Sequence, residues 1–155
     1  MKKLVQHIND GKIELINCPT PSIGKQEILS ETKCSLISSG TERMLLDFGK
    51  SNFLQKVLKE KDRVRDILDK IKTDGLVPTI EAVNHKLNTP IPLGYSNVGT
   101  VIATGKEVES YKIGDRIVSN ASHSEVVSTQ KHLSAIIPDN VSDETASFTV
   151  IASIA

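Results

Sequence analysis

Few side chains in this sequence have the types and spacing that catalytic or metal chemistry requires. His123 and His132 lie in strand-like runs, and neither stands at a metal-ligand spacing from a second ligand. We therefore expect both histidines to pack or to face solvent. The two cysteines, Cys18 and Cys34, could pair or stay reduced, and the absence of a secretory signal favours reduced, structural thiols.

No phosphate-binding motif occurs in the sequence. Neither G-x-G-x-x-G nor G-x-x-x-x-G-K-[ST] is present, so a dinucleotide or nucleoside triphosphate finds no glycine-rich cradle for its phosphates. The sequence therefore predicts that this chain by itself holds no nucleotide cofactor.

Hydroxyl groups are the remaining candidates for chemistry. Tyr95 could donate a hydrogen bond to a carbonyl oxygen or act as a weak acid, or it could pack its ring at the rim of the fold. Ser39 and Thr41 lie in a turn-like segment, where such side chains commonly hydrogen-bond the backbone. We expect Glu42 to pair with Arg43 or a lysine, in a solvated rather than a catalytic role.

Bulk composition limits the class of protein. The length of 155 residues fits one domain, and a core of Ile, Val and Leu is expected because aromatic residues make up only 3%. The formal net charge is zero, which argues against a nucleic acid or an anionic membrane as partner. With no secretory signal and no apolar run of about 18–20 residues, we expect a cytoplasmic protein.

Alternation of apolar and polar residues predicts short strands over most of the chain. In the longest segment, Ile28 and Cys34 share one face while Glu31 and Lys33 share the other, which predicts a half-buried strand. Many short strands at close spacing are typical of a barrel or a sandwich. The predicted strands are residues 4–8, 12–18, 27–37, 97–104, 115–119, 125–129 and 132–137.

Helical periodicity replaces this alternation in two places. Residues 51–87 predict a helical hairpin inserted between strands, with Gly75 as a stop for its first helix. The apolar stripe of this hairpin is expected to pack on the strands. Alternatively, the hairpin covers a cleft or forms a contact in a homo-oligomer. After Ser142 a last helical segment runs to the end of the sequence, which predicts further protein beyond it.

Ordered glycines between residues 92 and 118 carry a resemblance to a known family. The residues concerned are Pro92 to Val101, Gly105, Val108, Tyr111 to Val118, His123-Ser124-Glu125 and Ile137-Pro138. Their order is similar to the pattern G-H-E-x-x-G-x-V-x-x-x-G-x-x-V-x-x-x-x-x-G-D-R-V, and the sequence thereby resembles the medium-chain dehydrogenases, which include zinc alcohol dehydrogenases and quinone oxidoreductases.

The resemblance implies a fold and a domain layout. Residues 1–140 would form a mainly β, GroES-like partly open β-barrel, α+β overall because of the helical hairpin at 51–87. Residues 141–155 would begin the linker helix to a missing C-terminal Rossmann domain of about 130 further residues. That domain would bind NAD or NADP in the intact protein.

Three short segments narrow the resemblance to one subgroup. In two-part oxidoreductases, a zinc-lacking medium-chain module precedes a second module of the glucose-fructose oxidoreductase type. The sequence is similar to that subgroup at Ser39-Gly40-Thr41-Glu42, at Asp74-Gly75-Leu76 and from Pro92 to Ser96.

The sequence departs from the family at its zinc ligands. Ser39 stands where the family has a cysteine, Tyr95 and Ser96 replace the histidine and glutamate of G-H-E, and Val150 falls near the third ligand position. The four-cysteine lobe of the structural zinc site has no counterpart here. The resemblance therefore implies a site without metal.

The hydroxyls would then act in the place of zinc. Thr41 matches the family's proton-passing hydroxyl beside the substrate oxygen and would touch the edge of the cofactor, while Ser39, Tyr95 and Ser96 complete the candidate catalytic set. The expected function is the substrate-side domain of a metal-independent NAD(P)-dependent oxidoreductase, inactive alone, that acts on a small carbonyl, alcohol or activated alkene. The alternative is a non-enzymatic GroES-like assembly or binding module, like the co-chaperonin of that fold.

Overall fold

The computed structural model of the chain describes residues 1–7, 10–40, 42–43 and 89–154. The helical hairpin predicted at 51–87 lies outside the described residues, and so does Thr41. The chain divides into two compact units. One comprises Met1–Leu4, Leu15–Glu42 and Pro92–Ala155, and the other comprises Val5–Glu14 and Arg43–Ile91.

Strands dominate the described residues, which confirms the predicted mainly β class. They form a three-stranded sheet of order β2-β1-β4 and a five-stranded sheet of order β7-β3-β5-β6-β8. The strands are β1 (Lys2–Gln6), β2 (Ile13–Asn17), β3 (Glu27–Ser35), β4 (Ile91–Pro92), β5 (Asn97–Thr104), β6 (Arg116–Ser119), β7 (Val126–Gln130) and β8 (Ser134–Ile136). Two short helices follow, α1 (Asp143–Ala146) and α2 (Thr149–Ala152).

β3 organises the five-stranded sheet, because it pairs antiparallel with β5 on one side and with β7 on the other. Ile28 and Ser30 are fully buried, whereas Glu31 and Lys33 are exposed. The predicted half-buried strand is therefore confirmed, and the face that carries Ile28 is the buried one. Its pairing with β5 shifts register at two places, between Leu29 and Ser30 and between Thr32 and Cys34.

The five-stranded sheet is packed on both faces. Neighbouring residues of one strand point to opposite faces, and in β6 both Ile117 and Val118 are buried. Each therefore belongs to a different apolar cluster. One cluster contains Ile28, Val101, Val108 and Ile117, and the other contains Val98, Val118, Ile137 and Ala146.

The C-terminal helical segment is fastened to the sheet by polar contacts. Ser142 caps α1 as predicted, since its side chain accepts the Thr145 N–H. Arg116, the arginine of the G-D-R motif, donates to Asp143 at 2.7 Å and to the Val141 carbonyl at 2.7 Å. Among the described residues, no helix has the length and apolar character to cross a membrane.

Two predictions of regular structure need correction. The strand predicted at 132–137 begins only at Ser134, because Lys131–Leu133 form a 3₁₀ turn. The single helix predicted after Ser142 is two helices, separated at Ser147 and Phe148. The Ser147 carbonyl accepts the Ser96 hydroxyl at 2.5 Å, so the carbonyl at the break is held by a side chain.

Candidate functional site

The turn after β3 is closed by the carboxylate of Glu42. The Glu42 N–H donates to the Ser38 carbonyl at 3.1 Å, and the Ser38 N–H donates to Oε1 of Glu42 at 2.9 Å. Glu42 is only 6% exposed. The solvated role predicted for Glu42 is therefore wrong. Its side chain is buried and hydrogen-bonded to the backbone of the turn that carries Ser39.

The loop from Gly94 to Ser96 lies beside the start of this turn. The Leu36 N–H donates to the Ser96 carbonyl at 3.0 Å, so the chain that enters the turn is hydrogen-bonded to the loop. Gly94 has a φ of +90°, a region that side chains with a Cβ rarely adopt. The two segments that sequence reasoning assigned to one site are thus neighbours in the fold.

His123, between β6 and β7, connects both segments. Its Nε2 lies 3.2 Å from Oε2 of Glu42, and its Nδ1 lies 2.8 Å from Oγ of Ser35 at the end of β3. The His123 side chain is 9% exposed, so this histidine packs rather than facing solvent. A Cβ built on Gly94 would lie 2.7 Å from three atoms of the imidazole ring, which shows how closely the loop covers it.

The backbone of His123 is fixed as firmly as its ring. Its N–H donates to the Leu93 carbonyl at 2.8 Å, and its carbonyl accepts the Leu4 N–H at 2.9 Å. The backbone that carries the imidazole is therefore held between β1 and the residue that follows β4.

A buried amide supports the segment that carries His123. Asn97, fully buried in β5, donates through Nδ2 to Oγ1 of Thr32 at 3.0 Å and to the Ser122 carbonyl at 3.1 Å. The Thr32 hydroxyl in turn donates to the Ser124 carbonyl at 2.5 Å. Because an unmade hydrogen bond is costly in a buried place, this network fixes residues 122–124 against β3 and β5.

The four residues predicted as catalytic differ in their surroundings. Ser39 is exposed, Tyr95 is half-buried, and Ser96 is 1% exposed with its hydroxyl donated to Ser147. Thr41 lies between described neighbours but is itself outside the described residues. Ser39 and Tyr95 thus belong to the two neighbouring segments, while the Ser96 hydroxyl is committed to the backbone of the C-terminal segment.

Sequence reasoning did not find the pairing of Glu42 with His123. The two residues are 81 positions apart, and no local period connects them. A signal existed in the short motifs themselves, since Glu42 ends Ser-Gly-Thr-Glu and His123 begins His-Ser-Glu. Two ionisable side chains in two separate motifs of one site could have been considered as partners.

The family that the sequence resembles includes zinc enzymes, but the side chains at the inferred ligand positions do not suit zinc. Of the three residues at ligand positions, Ser39 and Tyr95 offer hydroxyls, and Val150 packs against the cluster around Val98. Zinc in proteins takes thiolate, imidazole or carboxylate ligands. Within the ranges that the structure describes, no three His, Cys, Asp or Glu side chains converge. Both Cys18 and Cys34 are free thiols.

Comparison with known proteins bears on the fold. Residues 66–139, just under half of the chain, match the sequence profile of the alcohol dehydrogenase GroES-like domain. None of the curated proteins is significantly similar in sequence to the chain.

Solved structures with the same fold come from several oxidoreductases. The quinone oxidoreductase from Coxiella burnetii has a TM-score of 0.61 and 19% identity, over 95% of this chain and 40% of that one. Galactitol-1-phosphate dehydrogenase from Escherichia coli has a TM-score of 0.64 and 13% identity, over 96% and 41%. The Escherichia coli quinone oxidoreductase complexed with NADPH has a TM-score of 0.60 and 20% identity, over 95% and 36%.

The chain spans about two fifths of the length of these proteins. At such low identities the likeness bears on the fold and not on substrate. The GroES-like class predicted from the ordered glycines is confirmed, and the chain has the fold of the alcohol dehydrogenase GroES-like domain.

Proposed function

We propose that this chain is the substrate-side domain of an NAD(P)-dependent oxidoreductase that works without a metal ion and is inactive alone. Residues 1–140 are the GroES-like domain in this proposal, and 141–155 begin the linker to a nicotinamide-binding Rossmann domain. The oxidoreductases that share the fold, one of them complexed with NADPH, support it, as does their greater length.

The observation that carries the proposal is the juxtaposition of the two motif segments. The turn after β3 and the loop 94–96 are neighbours through the bond from Leu36 to Ser96 and through His123, which supports a site that draws on both segments. A packing role alone would not require polar groups from two separate motifs at this position. Function is better argued from such a site than from the fold.

The proposed substrate is a small molecule with a carbonyl, an alcohol or an activated alkene. When bound, the nicotinamide supplies or accepts the hydride at the substrate carbon. The hydroxyl of Thr41 passes the proton at the substrate oxygen and touches the cofactor's edge, and the Tyr95 hydroxyl donates a hydrogen bond to that oxygen. Such oriented donors stabilise the charge that develops on oxygen in the transition state.

Ser39 and Ser96 differ in this scheme. Ser39 is exposed on the turn and is proposed to contact substrate. For Ser96 we propose a structural role, because its buried hydroxyl already donates to the Ser147 carbonyl. The cleft that such a domain forms with a nicotinamide-binding domain would exclude water and align substrate with cofactor.

The proposal extends to the protein as a whole. The segments Ser39 to Glu42, Asp74 to Leu76 and Pro92 to Ser96 support a two-part enzyme with a second module of the glucose-fructose oxidoreductase type. We propose that this enzyme is cytoplasmic, in line with its free thiols, and that it forms a homo-oligomer.

Chelation tests the metal-free part of the proposal. We expect the purified protein to contain no stoichiometric zinc and to keep its full rate of hydride transfer after treatment with a chelator, since the donor set at Ser39, Tyr95 and Val150 does not suit zinc. Elemental analysis and an assay of NAD(P)H consumption, run on the protein with its nicotinamide-binding domain, measure both. Stoichiometric zinc that is lost together with activity would overturn this mechanism.

A further inference from the structure

The Glu42 carboxylate and the His123 imidazole have no part in the hydride and proton transfer proposed above, yet both are nearly buried. We propose that Glu42 and His123 are positioning residues, which hold the hydroxyl-bearing turn 38–42 in register with the loop at Gly94. The consequence for catalysis rests on the proposed function. The positioning itself rests only on the geometry of this chain.

The two carboxylate oxygens of Glu42 do different work. Oε1 accepts the Ser38 N–H at 2.9 Å and so closes the turn from within, while Oε2 faces Nε2 of His123 at 3.2 Å. Oε1 therefore stabilises the turn itself, and Oε2 links the turn to His123. Hydrogen bonds to a carboxylate are stronger than bonds between neutral groups, which suits a turn that has to hold Ser39 in place.

His123 is suited to position the turn because both its backbone and its ring are fixed by contacts. Its backbone is bonded to Leu93 and Leu4, its ring lies against Gly94, and its Nδ1 meets the Ser35 hydroxyl at 2.8 Å. A fixed ring offers a fixed donor to Glu42. The position of the turn is thereby tied to the loop that carries Tyr95.

Of the two neutral tautomers of the imidazole, one satisfies both ring contacts. With the proton on Nε2, the ring donates to Glu42, and its Nδ1 accepts the hydrogen bond from the Ser35 hydroxyl. The two ring nitrogens can therefore be tested separately. The glutamine amide nitrogen can take the place of Nε2, and the asparagine amide nitrogen can take the place of Nδ1.

The structural test is amide hydrogen exchange in the 155-residue chain, measured by NMR at the Ser38 N–H. We expect Glu42→Ala and His123→Asn to accelerate this exchange about 10- to 100-fold, the range for a lost hydrogen bond to a charged group. His123→Gln should stay within about threefold of the unsubstituted chain, because its amide still reaches Glu42. Equal exchange in His123→Gln and His123→Asn would overturn the proposal.

The exchange rates of the β3 and β5 amides, measured in the same spectra, distinguish global unfolding from local opening of the turn. These amides should stay protected from exchange in every variant that is used to test the turn. If a His123 variant does not fold, Glu42→Gln decides instead. Its amide oxygen keeps the Ser38 bond, while its NH2 faces Nε2 and forces the other tautomer. The His123 ring nitrogen shifts should then change, and unchanged shifts would contradict the proposal.

The kinetic test uses the same variants in the protein with its nicotinamide-binding domain. We expect His123→Asn to lower kcat about tenfold or more, with a much smaller effect on NAD(P)H affinity, to which the turn contributes only an edge contact, and with partial recovery in His123→Gln. A fall in cofactor affinity as large as the expected fall in kcat, or an unchanged kcat, would contradict the positioning role. If exchange behaves as expected and the unsubstituted protein transfers no hydride, the proposed function fails and the structural role of the pair stands.

Discussion

Replacing Gly94 by alanine is expected to destabilise the chain by about 2–5 kcal/mol, the sum of backbone strain and overpacking. Two effects combine at this position. The backbone has a φ of +90°, which costs a residue with a Cβ about 1–2 kcal/mol. The added Cβ would also lie 2.7 Å from three atoms of the His123 ring, which is held on both nitrogens and cannot move aside without cost.

Gly114→Ala is the matched control for that prediction. Gly114 has almost the same φ, +94°, but a Cβ there would meet no atom within 4 Å. Its substitution should therefore cost only the backbone strain of about 1–2 kcal/mol. Urea or thermal unfolding followed by circular dichroism gives both values. If Gly94→Ala and Gly114→Ala lower the free energy of unfolding equally, the loop at Gly94 does not pack closely against His123.

Gly105→Ala is expected to destabilise the chain by at least about 3 kcal/mol, the upper end for overpacking. A Cβ on Gly105 would lie far inside van der Waals contact with the backbone carbonyls of Gly24 and Lys25. Backbone cannot rotate away as a side chain can. The segment would have to separate, and the bonds from Gly105 N–H to Glu27 and from Glu107 N–H to Lys25 would be lost.

Gly40→Ala provides the comparison for Gly105. Gly40 is exposed, and a Cβ there would meet nothing within 4 Å. We expect its substitution to change stability by less than about 0.5 kcal/mol. The same unfolding measurements apply. A loss at Gly105 no larger than that at Gly40 would mean that the two segments do not approach as closely as described.

Local patterns were sufficient for most strands because a strand's period is two residues. β5 spans the predicted residues 97–104, and β3 is half-buried as its alternating residues indicated. The ordered glycines that carried the resemblance have distinct backbone roles in the structure. Gly94 and Gly114 adopt positive φ, and Gly105 allows a close backbone approach.

Long-range order is what local patterns could not supply. The sheet order β7-β3-β5-β6-β8 pairs strands far apart in the chain, and nothing in the alternation of β3 selects β7 as a partner. The same holds for Glu42 and His123. Each looked solvated or merely packed in its own segment, and only the fold shows that the two side chains meet.

The candidate site was therefore foreseen in part. The motif segments around Ser39 and Tyr95 were identified from sequence, and the structure makes them neighbours. The commitment of the Ser96 hydroxyl to Ser147 was not foreseen, because it depends on where the C-terminal segment crosses the sheet. Residue type alone does not tell whether a hydroxyl faces a cleft or a backbone carbonyl.

Cofactor binding tests the central claim most directly, since it does not require the substrate to be known. We expect NADH and NADPH, titrated by calorimetry, to show negligible binding to the 155-residue chain, which has no glycine-rich turn for the pyrophosphate. The protein that includes the nicotinamide-binding domain should bind one of them. Micromolar binding to the 155-residue chain, or no binding of either by the longer protein, would contradict the account.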